Sequence, residues 1–310
     1  YKMSIFKLDP AFKDYIWGGT RLRDEYGKKC DYDKVAESWE LSCHKDGPSV
    51  VADGEYKGLT LNEYIEKAGK GVLGKNCERF ENFPILIKLI DAKDNLSVQV
   101  HPDNDYAMRV EGEYGKTEMW YVVDCDEGAT LLYGFKHEIT KEEFARRIAD
   151  NTLLEVTNAV PVKKGDVFFI KSGTLHAIGK GILIAEIQQN SNTTYRIYDY
   201  GRVGKDGKPR ELHVDKALDV TKLAPAEQYP ETPVEKKDGY DIKLLSKCEY
   251  FTTYRVNVET KAELDADENS FNSILVLEGE PVISGGETVS AKKGESVFIS
   301  AGTGKYTVEG

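Results

Sequence analysis

Polar side chains that can bind a metal recur along two predicted strands and after a glycine turn. Ser97, Gln99 and His101 fall on one face of a predicted strand, because side chains in a strand alternate with a period of two. Glu118 opens the next β-type run, and His176 follows a Gly-Thr turn. Two histidines and a carboxylate, with an amide oxygen as a possible fourth ligand, suit Zn²⁺ and leave room for water or substrate. Each residue alone is more often an ordinary polar side chain, and the combination predicts a metal centre.

Short β-type runs must position these side chains. The runs are rich in Val, Ile, Phe and Tyr and are bounded by Gly, Asp or Asn, which is typical of the strands of a sandwich or barrel. Their close spacing, with few helices between them, disfavours a parallel βαβ fold. The predicted strands span residues 84–90, 96–100, 119–123, 129–133, 166–170, 182–188 and 273–277.

Helices are expected only as insertions between strands. Thr60 is followed three residues later by Glu63, and Thr140 by Glu143, which is the spacing of a capping box at the start of a helix. The predicted helices span residues 61–67, 141–149 and 214–220.

A charged stretch with several prolines divides the chain. This composition predicts an extended linker over residues 223–239. The sequence therefore predicts a catalytic domain with helical insertions over residues 1–222 and a smaller all-β domain over residues 240–310.

A segment of the predicted second domain repeats a segment of the first. Residues 292–305 align without a gap on residues 163–176, and both contain a glycine turn, an apolar run and a Gly-Thr turn. The match indicates a duplicated β-module, with chance similarity as the alternative. His176 corresponds to Lys305, whose ammonium group has no lone pair for a metal. The second module is therefore expected to be degenerate.

Composition and charge exclude several classes of function. The chain has 42 Lys and Arg against 53 Asp and Glu, a formal net charge of -11, which argues against a nucleic-acid surface. No apolar run is long enough to span a bilayer, and residues 1–10 lack the apolar core of a secretory signal. The 5 cysteines are scattered and never spaced as CxxC, which suits reduced thiols. A cytoplasmic enzyme is expected, without nucleic-acid, membrane or obligate protein partners.

Longer motifs around these residues resemble the type I mannose-6-phosphate isomerases, which are cupins. The likeness rests on Gln99-Val100-His101, Glu118 and Gly173-Thr174-Leu175-His176, and extends to residues 15–19, 37–40, 83–88, 186–189 and 194–196. It covers the predicted first domain, and the second is similar to the degenerate cupin of the short bacterial branch. The resemblance implies a mainly β fold of double-stranded β-helix (cupin) jelly-roll barrels, a bicupin with a few inserted helices. It also implies one Zn²⁺ per chain, bound by Gln99, His101, Glu118 and His176.

The resemblance implies an enzyme of mannose metabolism that interconverts mannose 6-phosphate and fructose 6-phosphate through an enediol intermediate. Moving a proton between C1 and C2 requires stabilisation of the developing oxygen charge, and Arg196 matches the family's catalytic arginine. Without that match, Arg196 would be interpreted as a salt-bridge partner at the rim. Glu186 and Lys116 are the candidates for the base, and geometry would decide between them. Ser97, Lys116 and Arg202 are candidates for binding the phosphate, although Arg202 could equally be a solvated loop charge.

Two other functions fit parts of the pattern. Two histidines and a carboxylate also suit Fe(II) with open positions, as in a cupin dioxygenase. A non-catalytic sugar-binding cupin would bind its ligand without turnover and would not need Arg196 and Glu186 beside a metal.

The remaining histidines and the tryptophans are predicted to lie at the surface, along the cavity or in the core. His44, His137 and His213 have no carboxylate at ligand spacing, and we predict them to be surface residues. The tryptophans either line the cavity or fill the core, and this applies to Trp17, Trp39 and Trp120.

Overall fold

The computed structural model describes residues 3–310, so Tyr1 and Lys2 of the predicted first domain lie outside the described residues. The strands are β1 (Ile5–Asp9), β2 (Ala11–Lys13), β3 (Glu37–Leu41), β4 (Val50–Val51), β5 (Ile85–Ala92), β6 (Val98–Val100), β7 (Glu118–Cys125), β8 (Thr130–Phe135), β9 (Thr157–Pro161), β10 (Val167–Ile170), β11 (His176–Ala177), β12 (Ile182–Gln189), β13 (Tyr195–Tyr198), β14 (Val234–Lys236), β15 (Tyr240–Lys247), β16 (Thr252–Val258), β17 (Lys261–Ala266), β18 (Asn272–Leu275), β19 (Val282–Gly285), β20 (Glu287–Ser290), β21 (Ser296–Ile299) and β22 (Gly304–Glu309). The α-helices are α1 (Arg21–Tyr26), α2 (Leu61–Ala68), α3 (Asn104–Val110), α4 (Lys141–Asp150) and α5 (Val214–Val220). Short 3₁₀-helices span Lys70–Leu73, Lys75–Cys77 and Leu153–Glu155.

Every predicted strand and helix is present, and the mainly β fold class is confirmed. The capping box predicted at α2 is formed, because Thr60 Oγ1 accepts the Glu63 N–H at 3.2 Å and Glu63 Oε1 accepts the Thr60 N–H at 3.0 Å. At α4, Thr140 accepts the Glu143 N–H at 3.0 Å. In the described part of the chain, no helix has the length and apolar character that a membrane crossing requires.

Backbone proximity divides the chain into two compact units. The first contains the described residues up to Lys13, together with Arg21–Leu89 and Glu231–Gly310, and the second contains Asp14–Thr20 and Ile90–Pro230. This division differs from the predicted domain boundaries, because an N-terminal part of the chain groups with the C-terminal part. Strand β14 lies within the predicted linker and pairs with β15, so part of that segment belongs to a sheet.

The first unit contains strands in the orders β18-β21-β1-β4, β17-β22-β19-β20 and β14-β15-β16, together with the paired strands β3 and β2 and residues 85–89 of β5. One of its cores includes the fully buried Val297 and Ile299 of β21. Strand β3 is buried along its whole length and carries Glu40, whose Oε1 lies 2.8 Å from Lys28 Nζ and accepts a bond from Ser38 Oγ at 2.7 Å. Burial raises the pKa of Glu40, although Lys28 and Ser38 act in the opposite direction.

The second unit carries the predicted site residues on two sets of strands. Its strands follow the orders β10-β7-β12 and β13-β6-β11-β8-β9. The apolar core against the second set includes Val98 and Val100 of β6, Phe144 of α4 and Ala217 of α5. The two inward-facing valines of β6 alternate with Gln99, so the strand turns one polar side chain to its other face.

The two copies of the predicted repeat have the same local structure. In each copy, the N–H of the first lysine donates to a carboxylate three residues later, at 2.9 Å and 2.7 Å. Strands β10 and β21 follow, and each leads to a glycine with left-handed φ, 87° at Gly173 and 84° at Gly302. Lys305, the counterpart of His176, is exposed and lies 3.3 Å from Glu263. Degeneracy of the second copy stays a prediction.

Gly179 follows β11 at a place with no room for a side chain. An ideal Cβ there would lie 1.8 Å from the Thr130 carbonyl oxygen at the start of β8. We expect Gly179→Ala to lower the free energy of unfolding by about 3 kcal/mol, because the backbone of β8 must move. As a control, Gly128→Ala introduces a Cβ into open space at a φ of 80°. This control substitution should lower the free energy of unfolding by only about 1 kcal/mol. If urea denaturation showed the same loss of unfolding free energy for both variants, the close approach of Gly179 to the Thr130 carbonyl oxygen would be contradicted.

Candidate metal centre

Strand pairing brings three of the predicted residues into one row. Strand β11 pairs with one edge of β6, so that His176 lies opposite Gln99. Strand β13 pairs with the other edge of β6, so that Arg196 also lies opposite Gln99. Residues opposite each other on antiparallel strands direct their side chains to the same face, with Cβ atoms about 5 Å apart. The pairing therefore places Arg196, Gln99 and His176 side by side across the sheet.

His101, Glu118 and His176 converge on one point. Their potential ligand atoms lie within 4.8 Å of one another, and all three residues are buried. The Nε2 atoms of the two rings are 3.1 Å apart. Glu118 Oε1 lies 3.6 Å from Nε2 of His101 and 3.3 Å from Nε2 of His176. Residues that are far apart in sequence thus share one centre.

The hydrogen bonds of the two rings fix which nitrogen faces this centre. Nδ1 of His101 is 3.0 Å from the Thr193 carbonyl oxygen, and Nδ1 of His176 is 2.8 Å from the Thr174 carbonyl oxygen. A carbonyl oxygen can only accept, so each Nδ1 carries the proton and each Nε2 presents a lone pair. Burial lowers the pKa of His176, and Glu118 and the Thr174 carbonyl oppose that shift. The neutral ring is therefore favoured.

This arrangement fits a divalent cation. Two lone pairs that face each other at 3.1 Å repel, unless a positive charge lies between them. Oε2 of Glu118 is buried and has no hydrogen-bond partner among the described residues, and its ion pair with Lys116 Nζ, at 3.7 Å, is longer than a hydrogen bond, so the oxygen can still accept a ligand. Imidazole Nε2 atoms held by carbonyl groups, together with a carboxylate, are the donor set of a protein zinc site.

Gln99 has its amide nitrogen bound and its oxygen available. Nε2 donates to the carbonyl oxygen of Ser97 at 3.2 Å and lies 3.3 Å from Ser97 Oγ. This bonding leaves Oε1 as the atom that Gln99 can offer to a cation. The role of Gln99 as a fourth ligand stays a prediction, as does the phosphate-binding role of Ser97.

Both candidate bases lie beside the three converging residues. Lys116 is buried, with Nζ 3.7 Å from Glu118 Oε2. Glu186 is buried on β12 and accepts a hydrogen bond from Trp120 Nε1 at 2.9 Å. The ring of Trp120 lies 5.4 Å from that of His176. Trp120 therefore fills the core and borders the site at once.

Arg196 is partly bound and partly available. Its Nη1 donates to the Glu211 carbonyl oxygen at 2.8 Å, whereas Nε is buried without a hydrogen-bond partner in the described chain. Burial and then the neighbouring Arg210 lower the pKa of Arg196, but a guanidinium stays charged near neutral pH. The guanidinium has five N–H donors, so N–H groups besides the one bound to Glu211 remain to interact with a ligand.

Arg202 is bound by the protein itself. Its guanidinium donates to Asp199 Oδ1 at 2.6 Å, to the Asp199 carbonyl oxygen at 3.2 Å and to the Asn95 carbonyl oxygen. Arg210 donates to both carboxylate oxygens of Asp199, at 2.9 Å and 2.7 Å. Burial alone would raise the pKa of Asp199, but the bonds from Arg210 and Arg202 lower it. The alternative of a solvated loop charge is wrong for Arg202, and its phosphate-binding role stays a prediction.

The prediction that three histidines lie at the surface is partly wrong. His137 is exposed, but His44 is buried and His213 is half-buried. Nδ1 of His44 accepts the Asp46 N–H at 3.1 Å, and its ring lies 5.8 Å from that of Trp39. His44 can be buried because its ring packs against an aromatic ring and its Nδ1 accepts a hydrogen bond.

Gln188 belongs to this site and was not among the predicted site residues. It lies opposite Glu118 in the pairing of β12 with β7 and is fully buried. Its Nε2 donates to the carbonyl oxygens of Gln189 and Ser191 at 2.9 Å and 2.7 Å, and its Oε1 has no partner among the described residues. Glu186 and Gln188 are two residues apart on one strand, so their side chains lie on the same face, and this spacing could have identified Gln188 from the sequence.

Comparison with known proteins identifies the family. Residues 5–128 match the model of the phosphomannose isomerase type I catalytic domain, and residues 241–310 match that of the mannose-6-phosphate isomerase cupin domain. Over 303 residues the chain is 41% identical to mannose-6-phosphate isomerase ManA of Bacillus subtilis, covering 97% of this chain and 94% of the relative. A crystal structure of the mannose 6-phosphate isomerase from Bacillus subtilis is 38% identical, with a TM-score of 0.93 over 99% of this chain and 97% of that one. A zinc-bound structure of a mannose 6-phosphate isomerase shares the fold at 18% identity, with a TM-score of 0.73 over 99% of this chain and 97% of that one. The chain belongs to the type I phosphomannose isomerase family.

Proposed function

We propose that this chain interconverts mannose 6-phosphate and fructose 6-phosphate with the help of one zinc ion. Gln99, His101, Glu118 and His176 would hold the ion. The observation that carries the proposal is the 3.1 Å separation of two Nε2 atoms, with Glu118 Oε1 3.3 Å from one of them. These are the ligand types that zinc prefers in proteins. The names of the relatives in the family support the activity.

The reaction moves a proton between C1 and C2 of the sugar, and we propose that it passes through an enediol. A bound divalent ion supplies Lewis-acid stabilisation of negative charge on substrate oxygens. Glu186, held by Trp120, takes the proton from C2 of mannose 6-phosphate and delivers it to C1, while the proton of the C2 hydroxyl passes to the oxygen on C1. Lys116 is the alternative base, since its Nζ also lies beside Glu118. Arg196 donates a guanidinium N–H to the substrate oxygen on which charge develops.

The remaining parts of the proposal concern the phosphate and the cell compartment. We propose that Ser97, Lys116 and Arg202 bind the phosphate of a small-molecule substrate, because hydroxyl and cationic donors recognise phosphate oxygens. A cytoplasmic location is supported by the cysteines, all of which are free thiols.

Metal removal tests the proposed function. A chelator is expected to abolish the conversion of mannose 6-phosphate to fructose 6-phosphate in a coupled assay, and Zn²⁺ should restore it. Metal analysis of the untreated protein should find zinc, and an oxygen electrode should record no uptake during turnover. Oxygen consumption with bound iron would instead indicate a cupin dioxygenase. Saturable binding of mannose 6-phosphate without turnover in the zinc-loaded protein would indicate a sugar-binding cupin.

A further inference from the structure

The main chain of Arg196 is bound to a histidine from a different segment. The Arg196 N–H donates to Nδ1 of His213 at 3.0 Å, and the His213 N–H donates to the Arg196 carbonyl oxygen at 2.8 Å. Nη1 of Arg196 donates to the carbonyl oxygen of Glu211, two residues before His213. Residues 211–213 therefore hold both the backbone and the guanidinium of Arg196.

The side chain of His213 bonds to the backbone of Arg196 and does not cap the following helix. His213 immediately precedes α5, yet its side chain makes no capping bond to that helix. Since Nδ1 accepts a hydrogen bond, the neutral ring carries its proton on Nε2, which lies 3.7 Å from Glu211 Oε2. The ring of Tyr195 lies 6.1 Å away on the same strand as Arg196.

We propose that His213 is a positioning residue for Arg196, and that the contact is made only while Nδ1 of His213 is unprotonated. This inference rests on the proposed role of Arg196. A protonated imidazole has donors at both nitrogens and no acceptor, so it would present an N–H to the N–H of Arg196. The hydrogen bond from the Arg196 N–H to His213 would then be lost, and it is one of the contacts that keep Arg196 opposite Gln99.

The charges around His213 set the pH at which this change occurs. Burial and then Arg196 lower the pKa of His213 from 6.5, Lys216 acts in the same direction, and Glu211 and Glu111 oppose the shift. The contact is therefore complete at pH 7 and is lost as the pH falls through the lowered pKa.

Two substitutions at position 213 distinguish a role in positioning Arg196 from a general loss of structure. Asparagine can place its Oδ1 where Nδ1 accepts, and it does not titrate, whereas alanine removes the acceptor. With the zinc-loaded protein, we expect His213→Ala to lower kcat by about tenfold to a hundredfold with little change in KM, because Arg196 is misplaced. His213→Asn should retain most of the kcat and lose one protonation step from the acid side of the kcat profile. His137→Asn, at an exposed position, should leave both quantities unchanged.

A readout that does not depend on turnover completes the test. In the ¹⁵N-labelled protein, the amide signal of Arg196 should shift as His213 titrates, and His213→Asn should abolish that step. An Arg196 amide that does not follow the titration of His213 would overturn the proposal. So would a His213→Asn variant as impaired as His213→Ala. Absence of isomerase activity in the natural sequence would contradict the proposed function, while the amide titration would still decide the role of His213.

Discussion

His176→Ala is expected to abolish most turnover and to lower the zinc content of the purified protein. The substitution removes one of the two Nε2 donors that lie 3.1 Å apart, so His101 and Glu118 remain as an incomplete ligand set. Losing the stabilisation that a bound metal gives to developing charge should reduce kcat/KM by about a thousandfold, which corresponds to about 4 kcal/mol. Metal analysis and the coupled assay would measure the two effects.

The control for this prediction is a histidine outside the site. His137→Ala changes an exposed ring and should leave both zinc content and turnover unchanged. Circular dichroism at the assay temperature would show that His176→Ala remains folded. A folded His176→Ala protein with full zinc content and full turnover would disprove the proposed metal centre.

Glu186→Gln is expected to lower kcat by about a hundredfold to ten-thousandfold, the usual contribution of a general acid–base group. The amide has nearly the same shape, and its oxygen can still accept the hydrogen bond from Trp120 Nε1 that the carboxylate accepts at 2.9 Å. Zinc content and thermal stability should therefore stay close to those of the natural sequence. Steady-state kinetics with metal analysis of the same sample would test this.

The same experiment distinguishes the two candidate bases. Lys116→Met keeps a buried chain of similar length and removes the ammonium that lies 3.7 Å from Glu118 Oε2. If Glu186 is the base, the loss in kcat should be larger for Glu186→Gln than for Lys116→Met. Full turnover by zinc-loaded Glu186→Gln, together with an inactive Lys116→Met, would transfer the role of base to Lys116.

Local patterns predicted the elements of this fold well. Runs rich in Val, Ile, Phe and Tyr, bounded by turn residues, identified β6, β7 and β12, and the spacing of Thr60 and Glu63 identified the start of α2. These signals are local, because strand composition and helix capping depend on residues a few positions apart. The motif likeness identified the family, which the comparisons then confirmed.

Contacts between distant segments could not be predicted in the same way. The sequence does not state that β6 pairs with β11 on one edge and β13 on the other, because register and pairing depend on tertiary packing. The grouping of Arg21–Leu89 with Glu231–Gly310 also depends on such contacts, and the predicted domain boundaries stay a prediction. His44 and His213 were misplaced because their partners lie in other segments or become close only through packing.

Strand β6 has three residues, and both of its edges are paired at Gln99. A shift of one residue along a strand turns every side chain to the opposite face. Losing or gaining a single amino acid within this short segment would thus exchange Gln99 with the core valines and disturb two neighbouring strands together. Surface loops of the same unit can vary in length without such an effect. Within this unit, insertions and deletions should therefore be tolerated less around β6 than in the surface loops.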